Sequence, residues 1–76
     1  MIRINEQYID RFARFWKGHL LYRISSCCYL MFDEDTREYQ GVHTFAGVYY
    51  DSTWIQKKCD ETLNELLTRG ILETTD

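Results

Sequence analysis

Proline is absent from these 76 residues, glycine occurs four times, and no stretch repeats or is of low complexity. Nothing therefore marks a linker or a second unit, and residues 1–76 read as one domain near the lower size limit for independent folding. A core this small favours completion by a second copy or by a partner. No apolar run is long enough to cross a bilayer, and residues 1–6 carry no apolar signal core, so a cytoplasmic protein is expected. Cysteine is scarce: there are three, Cys27 and Cys28 being adjacent, an odd and poorly spaced set that suits reduced thiols better than a disulfide framework.

The chemistry-bearing motifs are missing too. Gly18, Gly41, Gly47 and Gly70 are scattered and form no phosphate-cradling loop. His19, His43, Cys27, Cys28 and Cys59 could ligate a metal, but no Cys-x-x-Cys pair brings two thiolates to one ion. On a strand Cys27 and Cys28 would point to opposite faces, and Cys28 and Cys59 read as small core residues. Ser25, Ser26, Cys59, His19 and His43 could supply a nucleophile and a base, yet nothing resembles a nucleophile elbow and the chain has little room for an enclosed pocket. No catalysis, no metal and no cofactor are expected.

What is present is apolar and aromatic content, 45% and 16%, enough to drive folding. Asp51–Gly70 reads as one amphipathic helix. Ile55, Cys59, Thr62, Leu63, Leu66 and Leu67 share a stripe, and Lys57, Asp60, Glu61, Asn64 and Thr68 lie opposite. Asp51 or Ser52 caps its start, Gly70 ends it, and Lys57–Glu61 and Glu65–Arg69 are i,i+4 pairs. A first helix is predicted from an Asn5 cap to about Lys17, stopped by Gly18, with Tyr8, Ile9, Phe12, Ala13, Phe15 and Trp16 on an arc of roughly 140–160°.

Between the helices, His19–Phe32 reads as one long strand with Leu20, Tyr22, Ile24, Ser26, Cys28, Leu30 and Phe32 on one face. Both faces are fairly apolar, which leaves a buried helical segment as the alternative, and Ser25-Ser26 suggests a bulge or bend. Asp33–Glu38 is a polar hairpin loop. Tyr39–Tyr50 is a second strand with Val42, Thr44, Ala46, Val48 and Tyr50 toward the core. Ile71 and Leu72 fold back, and residues 73–76 are an acidic, frayed tail. The predicted fold is therefore α+β, helix–strand–strand–helix: an antiparallel hairpin with two helices on one face. Its open edges would be completed by dimerisation.

Charge is uneven. Residues 1–24 carry five basic and two acidic side chains (+3), residues 25–76 four and ten (−6), giving the net −3. Arg11, Arg14 and Lys17 would line one face of the first helix, a candidate phosphate-binding stripe that Glu6 and Asp10 share. Trp54 falls off the apolar stripe of its helix, and Tyr49 and Tyr50 precede it, in the manner of interface anchors. With the acidic loop residues Asp33, Glu34, Asp35 and Glu38 they form the candidate partner surface. Tyr8, Phe12, Phe15 and Trp16 form the candidate dimer contact. The leading expectation is a small non-catalytic inhibitor or adaptor that covers a surface of a larger protein, and acts as a homodimer. The alternative is a nucleic-acid-binding regulator using Arg11, Arg14 and Lys17. In size and composition alone the chain is similar to small phage or mobile-element proteins aimed at host machinery, anti-CRISPR inhibitors among them.

Overall fold

Three runs of alternating or periodic apolar residues fold differently from their simplest reading. The structure is a computed structural model that describes residues 1–26, 28–44 and 52–75. In chain order it contains strand β1 (Ile2–Ile4), a 3-10 helix (Glu6–Arg11), strands β2 (Ala13–Arg14), β3 (His19–Arg23), β4 (Cys28–Asp33) and β5 (Tyr39–Thr44), helix α1 (Ser52–Thr68) and strand β6 (Leu72–Thr74). Strands β2, β3, β4 and β5 form an antiparallel sheet in that order, and β1 pairs with β6 in a second. The helix–strand–strand–helix expectation is thereby overturned: the described residues hold two small sheets and one α-helix.

The first helix fails after six residues. Asn5 does cap it, its Oδ1 accepting from the Gln7 N–H at 3.2 Å, but the segment is 3-10, departs from helical geometry at Tyr8 and gives way to extended backbone at Phe12. The stretch is dense in aromatic side chains, which lose rotamer freedom against a preceding helical turn and pack well on a pleated surface. A helix would leave so wide an arc uncovered, whereas a period of two sends Phe12 inward and Ala13 outward. Phe12 is buried, its ring 5.5 Å from Tyr22 and 5.2 Å from Phe32, so this proposed dimer contact is a core residue.

The long strand predicted over His19–Phe32 is a hairpin. The Ile24 and Ser25 N–H groups both donate to the Cys28 carbonyl, and the chain reverses at Ser25-Ser26. Leu20 faces Phe32 and Tyr22 faces Leu30, so even-numbered residues pair with even-numbered ones. The reversal therefore keeps Leu20, Tyr22, Cys28, Leu30 and Phe32 on one face, the face that was predicted, while changing the topology.

In β5 a bulge opposite Met31–Phe32 shifts the phase: Phe32 pairs with Tyr39, whereas Met31 pairs with Gly41. Gly41 has φ 127°, a conformation that suits glycine. Tyr39 thus turns in to the core, its ring 5.5 Å from Phe32. Val42 and Thr44 are exposed, contrary to the predicted core face, because the core gathers at the Tyr39 end of the strand. Ala46, Val48 and Tyr50 of that face lie outside the described residues.

Helix α1 follows its predicted stripe. Cys59 and Leu66 are buried and Ile55, Leu63 and Leu67 pack beside them, with Lys57, Asp60, Glu61, Asn64 and Thr68 exposed. Asp51, one of the two candidate caps, lies outside the described residues. Gly70, at φ 77°, ends the helix: its N–H donates to Leu67 O and the Ile71 N–H to Leu66 O, the paired bonds of a Schellman motif. Ile71 then packs on Leu66 within the core, and Leu72–Thr74, which were read as a contact and the start of a frayed tail, run antiparallel to β1.

Phe32 lies at the centre of these layers, fully buried and in ring contact with Phe12 and Tyr39. Replacing it with alanine should cost about 3–5 kcal/mol, a large share of the stability of so small a domain. Val42→Ala, on the exposed end of the same face, should cost under ~0.5 kcal/mol. Urea titrations followed by circular dichroism measure both, and equal costs would contradict this assignment of the core.

Candidate functional site

The turn joining β2 to β3 is short and forced. The Phe15 N–H donates to His19 O at 3.1 Å, the His19 N–H reaches Trp16 O at 3.5 Å, and three residues close the reversal. Gly18 (φ 92°) takes a left-handed conformation at no steric cost, but Trp16 (φ 54°) takes one as well. For a bulky side chain that costs about 1–2 kcal/mol. The Trp16 side chain is 78% exposed, with Phe15 edge-on at 6.3 Å. Among the described residues no other aromatic side chain is exposed.

Arg37 is the other non-glycine residue with positive φ, at 70°, and its strain is compensated. Its guanidinium donates to Glu6 at 2.9 and 3.4 Å and to the Glu34 carbonyl, its N–H donates to Asp33 O, and its carbonyl accepts from Ile4 N. The Arg37 hydrogen bond holds the Glu6 carboxyl below its ordinary range.

The acidic loop is a tightly capped turn set against the Trp16 hairpin. Asp33 Oδ1 accepts from the Thr36 and Asp35 N–H groups, each at 2.8 Å, and these bonds hold its carboxyl below the usual aspartate range. Asp33 and Glu38 are joined by a backbone bond of 2.9 Å, and Glu38 also bridges to Arg3 of β1. Asp33 and Glu38 therefore build the turn. Glu34 and Asp35 form its crest. The Glu34 N–H donates to Gly18 O at 2.9 Å, and Arg14 Nε lies 2.6 Å from Glu34 Oε2, a buried carboxylate oxygen approached off the hydrogen-bonding direction. Two features that the sequence leaves unrelated, an aromatic tip and an acidic loop, are thus one surface.

The charges around it are mixed. Residues 11–32 carry Arg11, Arg14, Lys17 and Arg23 and no acidic residue, and the acidic turn follows at once. The three cations of the proposed phosphate stripe do not share a helix face: Arg11 ends the 3-10 helix, Arg14 is in β2 and Lys17 is in the turn. Arg11 also stacks over Tyr8 at 5.4 Å from the ring centre, and Tyr8 is half-buried against the core. Of the candidate partner residues, Trp54 is half-buried on α1, and Tyr49 and Tyr50 lie outside the described residues.

Of the remaining reactive groups the described cysteines belong to the interior, whereas His19 closes the Trp16 turn and pairs with Asp33. Cys28 and Cys59 are buried, and burial pushes both thiols up. Burial likewise raises the Tyr39 phenol to about 12. Cys27 lies outside the described residues. His19 Nδ1 is 3.0 Å from Gln40 Oε1. Among the described residues no three His, Cys, Asp or Glu side chains converge on a point that could hold a metal, and no helix is long and apolar enough to cross a membrane. The outer face of α1, from Thr53 to Asn64, bounds a shallow depression lined by residues with polar side chains. The exposure of Trp16 was hidden in the helical arc of the sequence; the following Gly18 is the signal that marks a turn there.

No family model, no characterised protein and no solved structure was found to match this chain.

The depressed Asp33 carboxyl makes a stability statement. A folded-state pKa below the unfolded one contributes stability above the ordinary carboxyl range, and that contribution is lost as pH falls through the folded value. The melting temperature of Asp33→Asn should therefore lie below that of the wild type at pH 7, with the gap closing on acidification between about pH 5 and pH 2. Parallel melting curves across that window would show that the charge of Asp33 does not hold the turn.

Proposed function

We propose that this protein is a small non-catalytic interaction module that acts as an inhibitor or adaptor by covering a surface of a larger protein, with Trp16 as the anchor of the contact. The supporting observation is the pairing of strain with exposure at Trp16. A tryptophan held left-handed at a hairpin tip costs the isolated chain free energy, and its ring, 78% exposed and touching Phe15 edge-on, recovers little of it by burial. A partner pocket that buries the ring would recover more. Exposed tryptophans in fixed positions are among the commonest interface hot spots, and uncompensated backbone strain clusters at functional positions.

The rim favours protein over nucleic acid. Arg14 and Lys17 flank Trp16 in the chain, and the Glu34–Gly18 bond and the Arg14–Glu34 contact bring the carboxylates of the acidic turn alongside them. A polyphosphate backbone approaching the cations would meet these carboxylates, and Arg14 is already engaged by one of them. A protein surface carrying both signs of charge meets no such penalty.

Affinity capture from the native host with wild type and Trp16→Gly tests the reading. Glycine tolerates the left-handed conformation, so the variant should melt at or above the wild-type temperature. The wild type should retain one protein at stoichiometric yield. The variant should bind it at least ~30-fold more weakly, the loss typical of a hot-spot residue. Capture of nucleic acid alone, or equal capture by both forms, would overturn the proposal.

A further inference from the structure

We infer that Phe15 and His43 are positioning residues for Trp16: they form a relay of rings on the sheet face opposite the core, and that relay sets the direction in which the Trp16 ring points. The Phe15 ring lies 5.6 Å from that of His43 and, edge-on, 6.3 Å from that of Trp16. Among the described residues Phe15 is the one ring in contact with Trp16.

Strand parity places Phe15 and His43 together independently. Ala13 pairs with Leu21 and the Phe15 N–H donates to His19 O, so Phe15 follows Ala13 onto the face of Leu21. Leu21 pairs with Met31, and Tyr29 with His43, so His43 belongs to that face as well. Phe12, Leu20, Leu30 and Phe32 occupy the other face and make the core. Leu21 is nevertheless only 4% exposed. The second face therefore carries a small apolar layer of its own, to which half-buried Phe15 and Met31 contribute.

The tip depends on such support. Trp16 is 78% exposed, and exposed side chains change rotamer in picoseconds to nanoseconds. The turn beneath it closes with a long bond, His19 N–H to Trp16 O at 3.5 Å, which does not reach the ring. Phe15 restricts the ring, and Phe15 is held in turn by His43 of β5, the opposite edge strand of the four. The direction of the tip thereby takes on the rigidity of the sheet. Ordering a side chain on binding costs affinity, so a ring already held binds more tightly than a free one. That consequence rests on the function proposed above; the relay itself does not.

Time-resolved fluorescence anisotropy of the full chain reads the relay. The chain has two tryptophans, so Trp54→Phe leaves Trp16 as the sole emitter. In that background the Trp16 emission should follow the tumbling of the whole protein, with a minor sub-nanosecond component. Phe15→Ala should raise the amplitude of that fast component about twofold or more. Phe15→Leu, which keeps the apolar layer filled but has no ring, should raise it too. His43→Ala should do the same, and His43→Phe, which keeps a flat ring against Phe15, should restore the wild-type decay. Adding His43→Ala to Phe15→Ala should change nothing further, because His43 acts through Phe15. Leu66→Ala opens a cavity in the core and should lower the melting temperature with the decay unchanged, which separates positioning from loss of stability. With Trp54 retained, His43→Ala should bind the captured partner about 3- to 10-fold more weakly than the wild type. A fast component unmoved by the Phe15 or His43→Ala variants, one raised equally by Leu66→Ala, a His43→Phe variant as mobile as His43→Ala, or equal binding by His43→Ala would each overturn the inference. Should the wild type capture no protein, the proposed function fails while the anisotropy still decides the relay.

Discussion

Asn5 holds three parts of the molecule at once. Its side-chain oxygen caps the 3-10 helix, its amide nitrogen donates to Gly70 O at 3.0 Å, and its backbone N–H donates to Ile71 O at 2.9 Å. The carbonyls it satisfies lie at the left-handed terminus of α1, where no further helical partner exists. One side chain near the start of the chain thereby fixes the end of α1. The β1–β6 ladder continues the same join, and Ile4 and Leu72 meet in the core beside Phe32 and Leu66. Removing the clamp would free both the helix end and the small sheet. Contacts between residues so far apart in sequence form late and raise the entropy cost of folding.

How much of this was legible in the sequence depended on what each signal encodes. The stripe of α1 and its glycine stop were legible because period, length and terminator agree over seventeen residues. The inward face of β3 and β4 was legible as well, because alternation survives a reversal that pairs even with even. The reversal was not, since a two-residue serine bend is a weak signal against fourteen residues of unbroken alternation. The first helix misled for a different reason. An arc of Tyr8, Ile9, Phe12, Phe15 and Trp16 satisfies a period of 3.6 on paper, but extended backbone lets Phe12 enter the core between Tyr22 and Phe32, and tertiary packing outweighed local spacing.

The candidate site was legible only in fragments. The acidic loop and the aromatic residues were each visible, but their contact depends on a backbone bond between Glu34 and Gly18, and no spacing rule reports that. Arg14 and Lys17 looked like a stripe for phosphate because the helix was assumed; Arg14 instead lies on a strand against Glu34 and Lys17 in a turn. Phe12 and Trp16 looked equivalent as apolar residues of one arc. Folding separates them completely, one into the centre of the core and one into solvent, and that separation gives Trp16 its meaning.

The bulge in β5 bears on how the chain tolerates changes of length. In a strand buried on one face, losing a residue inverts every side chain beyond the loss. At Gln40 the count already runs one residue over, since Tyr39 and Gly41 oppose the adjacent Phe32 and Met31. A deletion there would restore a regular ladder with Tyr39 still facing the core and Val42 still at the exposed end of the same face, at the expense of the His19–Gln40 hydrogen bond. Gln40 is thus a point where the sheet can lose one residue without turning inside out.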